Sequence, residues 1–511
     1  MKMSDMDNSS IDVKWRRGFW LLLAIITAWR LIYLLVTPLD LVPDEAYYWD
    51  WGRHFSWGYY SKPPLIAWLN GLSTFMLGAT PFTVRLPAVL FGSLTLIALY
   101  GLAARMFNAR TAFWSVVLAV IAPGSAIINL IMTIDAPLVC CWALALYFLW
   151  RGIEDDGRAF WVFLTILFCG IGLLAKQMML FFPLIALLYL ALNPEERHHL
   201  RRPWPYLLLI IPLLFLIPDL WWNSQHGWIT FKHTAHHFEG NHSFWRFLTT
   251  LPDFIGSQLL LIAPLTWIIF ISLAGLIFSH FRAASGKLKF LVLFSALPLA
   301  IFALMSLRQR INANWPAVFY STAFILTAAW AAGHPLIQKK LASWRKLFPW
   351  VVYSALFLSI LTYFLTFYIG HTALGGGPKD PFHRLKGWHE LGAEVSNILQ
   401  KQSANETIFL LASTRQTASE LAFYVQGQPR VYLWNERRDV VTSQYDLWPG
   451  PEKMIGDDAL LVIEKGKNIN AALRNSFTRM ELLREIQIPM GEAGNRDYSI
   501  YLGHKLLHWP Q

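Results

Sequence analysis

Eleven apolar runs, each near the length of a membrane-crossing helix, constrain this chain more than any other feature of its 511 residues. They lie near 18–36, 83–104, 111–131, 134–150, 159–175, 177–192, 204–222, 254–279, 288–306, 316–334 and 349–370. A hydrocarbon core ~30 Å thick takes about 20 helical residues to cross. Inside it every backbone polar group must be satisfied within its own segment, which leaves the helix as the form open to runs of this kind. The composition agrees. Hydrophobic residues make up 55% and charged residues only 15%, whereas soluble domains carry roughly 25% charged residues. A mean hydropathy of +0.39 excludes a string of water-soluble domains. The expected fold class is a polytopic α-helical membrane protein.

The net charge of +11 does not mark a nucleic-acid binder. The Lys and Arg residues sit in short clusters between the apolar runs, where they report topology. With a cytoplasmic N-terminus, the inner connections hold seventeen of them, from Lys14 to Lys346. The short outer connections, from Arg53 to Arg310 and including Lys176, hold eight. This bias sets the orientation, and an odd number of spans then places the C-terminus outside. The first run follows Lys14, Arg16 and Arg17, is long for a signal-peptide core and lacks a small-residue cleavage site, so it reads as an uncleaved anchor. Cys140, Cys141 and Cys169 all fall inside apolar runs, with no disulfide framework and no metal-ligand spacing.

The composition shifts after Thr372, where Gly375, Gly376, Gly377 and Pro378 mark a linker. The expected division is a membrane domain over 1–372, with outer loops 37–82 and 223–253, and an extracytoplasmic domain over 373–511. In the second domain Gly387 to Gln402 and Thr417 to Val425 have helical periodicity. Short strands are expected at 407–412, 430–434, 460–464 and 498–502, giving a small α/β fold. It has no glycine-rich phosphate loop and no nucleophile elbow, so it reads as a lid or docking domain rather than an independent catalytic unit.

The residues suited to chemistry gather in the outer loops. The first loop runs Leu-Asp-Leu-Val-Pro-Asp-Glu from Leu39, with Pro43 suited to begin a helix and Asp44 and Glu45 in its first turn. Either these carboxylates cap a solvated helix start, or one is a general base for an acceptor group and its neighbour orients it. The aromatics Tyr47, Tyr48, Trp49, Trp51, Trp57, Tyr59 and Tyr60 suggest a helix lying in the membrane interface. Asp135, at the tight turn between two spans, is a site candidate by its position in the membrane, with helix capping as the competing role. Lys62 precedes the stiff pair Pro63 and Pro64 and is suited to neutralise a phosphate as a point charge. Arg308 and Arg310 are placed to do the same, or to anchor span ends at the interface. His226, His233, His236, His237 and His242 crowd another outer loop, and His233 and His237 have the i,i+4 spacing of helix-borne ligands. No HExxH or similar signature accompanies them, so no metal site is expected.

Taken in order, these motifs are identifiable. Pro43-Asp44-Glu45-Ala46-Tyr47-Tyr48, Ser61-Lys62-Pro63-Pro64-Leu65 and Thr133-Ile134-Asp135-Ala136-Pro137 resemble the bacterial branch of the family 39 glycosyltransferases. That group contains protein O-mannosyltransferases and the aminoarabinose transferases that modify lipid A. Trp222 to Trp228, Asn314 to Ala317, Gly387 to Leu391 and Gln444 to Trp448 extend the resemblance over most of the chain.

The resemblance implies a GT-C fold with an extracytoplasmic tail domain and a polyprenyl-phosphate-linked sugar as donor. It implies a lipid A, lipopolysaccharide or protein acceptor on the periplasmic face of a bacterial inner membrane. By the same resemblance Asp44 is the essential first-loop carboxylate, Glu45 its partner, Asp135 the completion of the acidic cluster and Lys62 the donor-phosphate ligand. Arg308 and Arg310 would assist on the phosphate. The expected partners are the donor, the acceptor and the bilayer, with no nucleic acid, and no cofactor or metal is assigned. One residue departs from the pattern: Ser61 stands where lipid A aminoarabinose transferases carry an acid. A metal site built on that acid, and aminoarabinose as the transferred sugar, are therefore not carried over from the resemblance. A transporter or flippase for a lipid-linked solute is the rival reading. It would call for mid-helix charges and repeated halves with broken helices, and the sequence has no convincing internal repeat.

Overall fold

Every apolar run is helical in the computed structural model, which describes residues 3–236, 245, 247–334, 339–377, 379–402, 408–436, 440–467 and 469–509. Six helices among them are long and apolar enough to cross a membrane: Asp12–Val36, Pro81–Met106, Asp135–Glu154, Trp204–Gln225, Gly286–Ser306 and Leu341–Ile369. Two more runs are bent. The run near 111–131 is Ala109–Ile121 followed by Pro123–Leu130 at 73°. Pro123 has no N–H to give the helical ladder, and Ala122 before it is extended, as residues preceding proline tend to be. The run near 254–279 is not one straight span. It breaks into Phe247–Ile262 and Pro264–Ser279 at 108°, with Ala263 at φ 72°. The runs near 159–175 and 177–192 are shorter apolar helices, and the last of them starts with a 3-10 turn, Gln177–Leu180.

The chain divides into two compact units, one comprising 1–35, 62–65 and 85–363, the other 36–61, 66–84 and 364–511. The first unit holds the membrane helices. Its centre is aromatic: Trp142 is fully buried and meets Phe182, Phe319 and Phe294 edge-on at 5.0, 5.3 and 6.2 Å. Asp135–Glu154 packs along Ala159–Ala175, and Tyr320–Ala331 along Ala109–Ile121. Lipid offers no hydrophobic drive between helices, so close contact depends on small residues at the crossing. Gly172 serves this purpose, since a Cβ there would stand 2.9 Å from Met179 Sδ and 3.2 Å from Cys141 Cβ. All three cysteines are buried and free.

The second unit is built on a five-stranded sheet: β1 (Ile408–Ala412), β2 (Val431–Leu433), β3 (Asp458–Glu464), β4 (Phe477–Pro489) and β5 (Asn495–Leu506), in the order β2-β1-β3-β5-β4. β1 pairs in parallel with β2 and β3, and the helix Arg415–Tyr424 makes the crossover between β1 and β2. β5 pairs antiparallel with β3 and β4. β5 extends the strand expected at 498–502, and its hairpin partner β4 is the main feature absent from the sequence reading. β4 alternates polar and apolar residues, Thr478, Arg479, Glu481, Arg484 and Glu485 among them, and has no continuous apolar core to announce it.

Apart from residues 62–65, the first outer segment belongs to this unit. Pro43–Gly52 is a helix that begins on Pro43, as expected, and it lies against Arg415–Tyr424. Its far end meets Leu65–Leu77, a short apolar helix within the segment expected to be loop. Gly52 and Gly71 make that meeting possible. A Cβ on Gly52 would stand 2.7 Å from Gly71 N, and one on Gly71 would stand 2.7 Å from Gly52 O. The tail helix Trp388–Gln402 is capped from a distance in sequence, because Asp40 Oδ2 accepts the Trp388 N–H at 2.8 Å. Burial raises the Asp40 carboxyl to about 6, against the pull of that N–H.

Two outcomes are expected. Gly71→Ala forces these backbones apart and lowers stability by roughly 1–3 kcal/mol, read as a drop in thermal midpoint of the purified protein. Asp40→Ala, which removes the cap, costs about 1 kcal/mol, while Asp40→Asn, which keeps an acceptor, changes little.

Candidate active-site clusters

In the second unit the acidic residues of the first outer segment have different fates. Glu45 is fully buried, and its Oε2 accepts the Val42 N–H at 2.9 Å, so its carboxylate closes the start of its own helix. Asp50, one turn further on, is also buried. Its Oδ1 accepts from Arg53 Nε at 2.9 Å and its Oδ2 from the Tyr445 hydroxyl at 2.7 Å. Burial of the phenol, and then the charge of Asp50 and the bond donated to it, raise the Tyr445 pKa well above its usual value. Asp44 differs. Its side chain is 40% exposed, and Oδ1 accepts from Arg415 Nη1 at 2.9 Å. Arg415 also lies over the Tyr47 ring, 4.6 Å from its centroid. Asp44 is therefore held in place by a guanidinium yet open to solvent, while its three acidic neighbours Asp40, Glu45 and Asp50 are engaged in structure.

The aromatics of this segment are not an interfacial belt. Tyr47, Tyr48, Trp49, Trp51 and Tyr59 are buried inside the unit, and of the set Trp57 is exposed. Trp49 meets Phe423 edge-on at 4.8 Å, and Trp51 stacks on Tyr59 at 4.7 Å. The sequence pattern of an interface helix and that of a protein-buried one coincide here, because both want aromatic faces with a few polar tips. The tail motif Gln444-Tyr445 supplies the partners. Gln444 Oε1 accepts the Tyr60 N–H at 2.7 Å, and the Gln444 N–H donates to the Tyr47 hydroxyl.

In the first unit, Asp135 opens the helix Asp135–Glu154 and is buried. Its Oδ1 accepts from Lys176 Nζ at 2.9 Å, and its Oδ2 from Asn314 Nδ2. Lys176 stands at the end of Ala159–Ala175, where its side chain is only 11% exposed. Three connections between helices thus converge on one carboxylate. Asn314 lies in the Asn-Trp-Pro-Ala motif, but Lys176 was visible in the sequence only as a charge at the end of an apolar run. Arg308 and Arg310 are exposed in the turn before Trp315–Phe319, and Lys62 is half-buried. The Trp222–Trp228 motif forms a turn. Asn223 Oδ1 accepts the Thr230 N–H at 3.1 Å, and Gly227 and Trp228 adopt φ of 62° and 60°. Beneath it the sequence reading overlooked Asp219, which is fully buried. Of the outer histidines, His237 and His242 lie outside the described residues.

A buried ion pair stripped of one partner is expensive, about 3–5 kcal/mol, whereas removing both charges is far cheaper. Asp135→Ala is expected to lower the thermal midpoint sharply, and adding Lys176→Met to recover much of the loss. A double variant no better than the single one would exclude this pairing.

A family model described as dolichyl-phosphate-mannose-protein mannosyltransferase matches residues 61–222. The chain is 28% identical to the lipid A galacturonosyltransferase RgtD of Rhizobium johnstonii over 62% of this chain and 65% of that protein. It is 29% identical to the undecaprenyl phosphate-alpha-4-amino-4-deoxy-L-arabinose arabinosyl transferase of Pseudomonas aeruginosa over 63% of this chain and 60% of that protein. The matches thus span less than two thirds of these relatives. Crystal structures of ArnT from Cupriavidus metallidurans superpose with a TM-score of 0.63 at 16% identity, and the apo form is covered over 96% of this chain and 98% of its own. A second ArnT structure, bound to undecaprenyl phosphate, superposes equally well. The chain has the GT-C fold seen in ArnT and is similar in sequence, over part of its length, to membrane glycosyltransferases.

Proposed function

We propose that this protein transfers a sugar from a polyprenyl-phosphate-linked donor to lipid A, or to another lipopolysaccharide or protein group, at the periplasmic face of a bacterial inner membrane. The observation that carries this reading is the state of Asp44, an exposed carboxylate fixed by Arg415 on a helix whose other acids are consumed by structure. A base must be held within hydrogen-bond reach of the proton it takes, and a buried helix braced by a guanidinium provides such positioning. The names of the curated relatives supply the substrate class: one acts on lipid A, and another takes its sugar from undecaprenyl phosphate.

The reaction we propose is a single displacement with inversion. The acceptor hydroxyl gives its proton to Asp44 as its oxygen bonds to the anomeric carbon. The bond from that carbon to the phosphate oxygen breaks, and its electron pair leaves with the polyprenyl phosphate. Cations oppose the charge that grows on the departing group, and Lys62 is assigned to it, with Arg308 and Arg310 in support. Asp135 acts as a positioning residue through Lys176, whose ammonium it orients and whose charge it makes affordable in an apolar surrounding. Glu45 serves Asp44 by closing the helix start.

Asp44→Asn is expected to reduce transfer by roughly 10²–10⁴-fold with unchanged membrane insertion, in a reconstituted assay with a polyprenyl-phosphate sugar. Mass spectrometry of lipid A and envelope glycans from a deletion strain should show one sugar missing from its acceptor. An unchanged glycan profile with a redistributed lipid carrier would support a flippase instead.

A further inference from the structure

We infer that the first unit carries a zinc-class metal site formed by Asp156, His198 and His199, apart from the residues assigned to glycosyl transfer. Asp156 follows Asp135–Glu154 in the chain, and Glu196, His198 and His199 lie in and just before the 3-10 turn Arg197–Arg201. One ligand atom from each of Asp156, His198 and His199 falls within 4.8 Å of the others. His198 Nε2 is 3.2 Å from Asp156 Oδ1, and His199 Nε2 is 3.4 Å from Glu196 Oε2. Nitrogen and oxygen ligands about 2.0–2.1 Å from a tetrahedral zinc lie roughly 3.3 Å from one another. The His198–Asp156 separation matches that edge.

The two histidines point to a cation rather than to ordinary packing. His199 is completely buried, and neither ring nitrogen makes a hydrogen bond, which is costly for an imidazole enclosed beside Trp204. His198 is held between two oxygens, with Nδ1 3.0 Å from the Glu195 carbonyl and Nε2 facing Asp156. An Nδ1–H donated to that carbonyl turns the Nε2 lone pair toward the cluster, the arrangement that outer partners impose on metal-binding histidines. Asp156 Oδ2 is held by Arg202 Nη2 at 2.6 Å, leaving Oδ1 to face His198. A hard oxygen-seeking cation would not select two imidazoles, so zinc or a metal of similar preference fits best. It would clamp the connection after Asp135–Glu154 to the one before Trp204–Leu214.

The test uses the full-length, Strep-tagged protein in detergent, stripped with chelator and titrated with Zn²⁺ against a chromophoric competitor. One zinc per chain is expected, with a rise in thermal midpoint on binding. His198→Ala and Asp156→Asn both alter exposed side chains and spare the buried His199. Each should weaken binding by more than the roughly 10–100-fold typical of losing an outer partner. Failure of the stripped protein to bind zinc, or a stoichiometry and affinity untouched by both variants, would overturn the site.

Discussion

The carboxylate of Asp50 is buried in a helix packed with tryptophan and tyrosine, and the second unit depends on its being satisfied. An unpaired charge in such a place costs several kcal/mol. Arg53 answers it from the same helix, and Tyr445 answers it from the tail. Around this point gather Gln444 on Tyr47 and Tyr60, Arg415 on Asp44 and Asp40 on Trp388, all joining the first outer segment to residues more than 300 positions later. The tail is thus part of the structure that holds the first-loop carboxylates, and it contributes the guanidinium that fixes Asp44. That is a closer involvement than a lid or docking domain implies.

This arrangement separates acids that look equivalent in sequence. Asp40, Asp44, Glu45 and Asp50 lie within eleven positions. Three are used up by a helix cap, a helix start and a buried hydrogen-bond network. A carboxylate committed to backbone donors or a buried pair is a poor acceptor for a further proton, because moving it breaks bonds that nothing replaces. Asp44 alone of the four combines fixation with exposure. In the first unit Asp135 has the opposite character: its two oxygens are both occupied, and its value lies in what it does to Lys176 and Asn314.

Membrane helices were readable because their physics is local. A run of about 20 apolar residues needs no partner to declare itself, and each of the eleven runs is helical. What escaped was non-local or weakly patterned. The breaks at Ala122–Pro123 and Ala263 alter the run without altering its hydropathy, though Pro123 and Pro264 marked both places. Strand β4 has polar residues on its open side and so lacks a strong strand signature, whereas its partner β5 was legible in part. Leu65–Leu77 lies inside the segment 37–82 expected as an outer loop, and is shorter than a membrane span.

By itself the sequence determined the membrane class, the positions of the helices, the α/β character of the tail and a short set of polar candidates headed by Asp44. These follow from composition, period and motif order, which act over a few turns of chain. Tertiary structure alone decided how those candidates are used. It matched Arg415 to Asp44 and Lys176 to Asp135, turned Glu45 inward as a cap and buried the aromatics that sequence had assigned to the lipid surface. Charge pairing and burial depend on which distant side chains share a space, and that is settled only when the chain has folded.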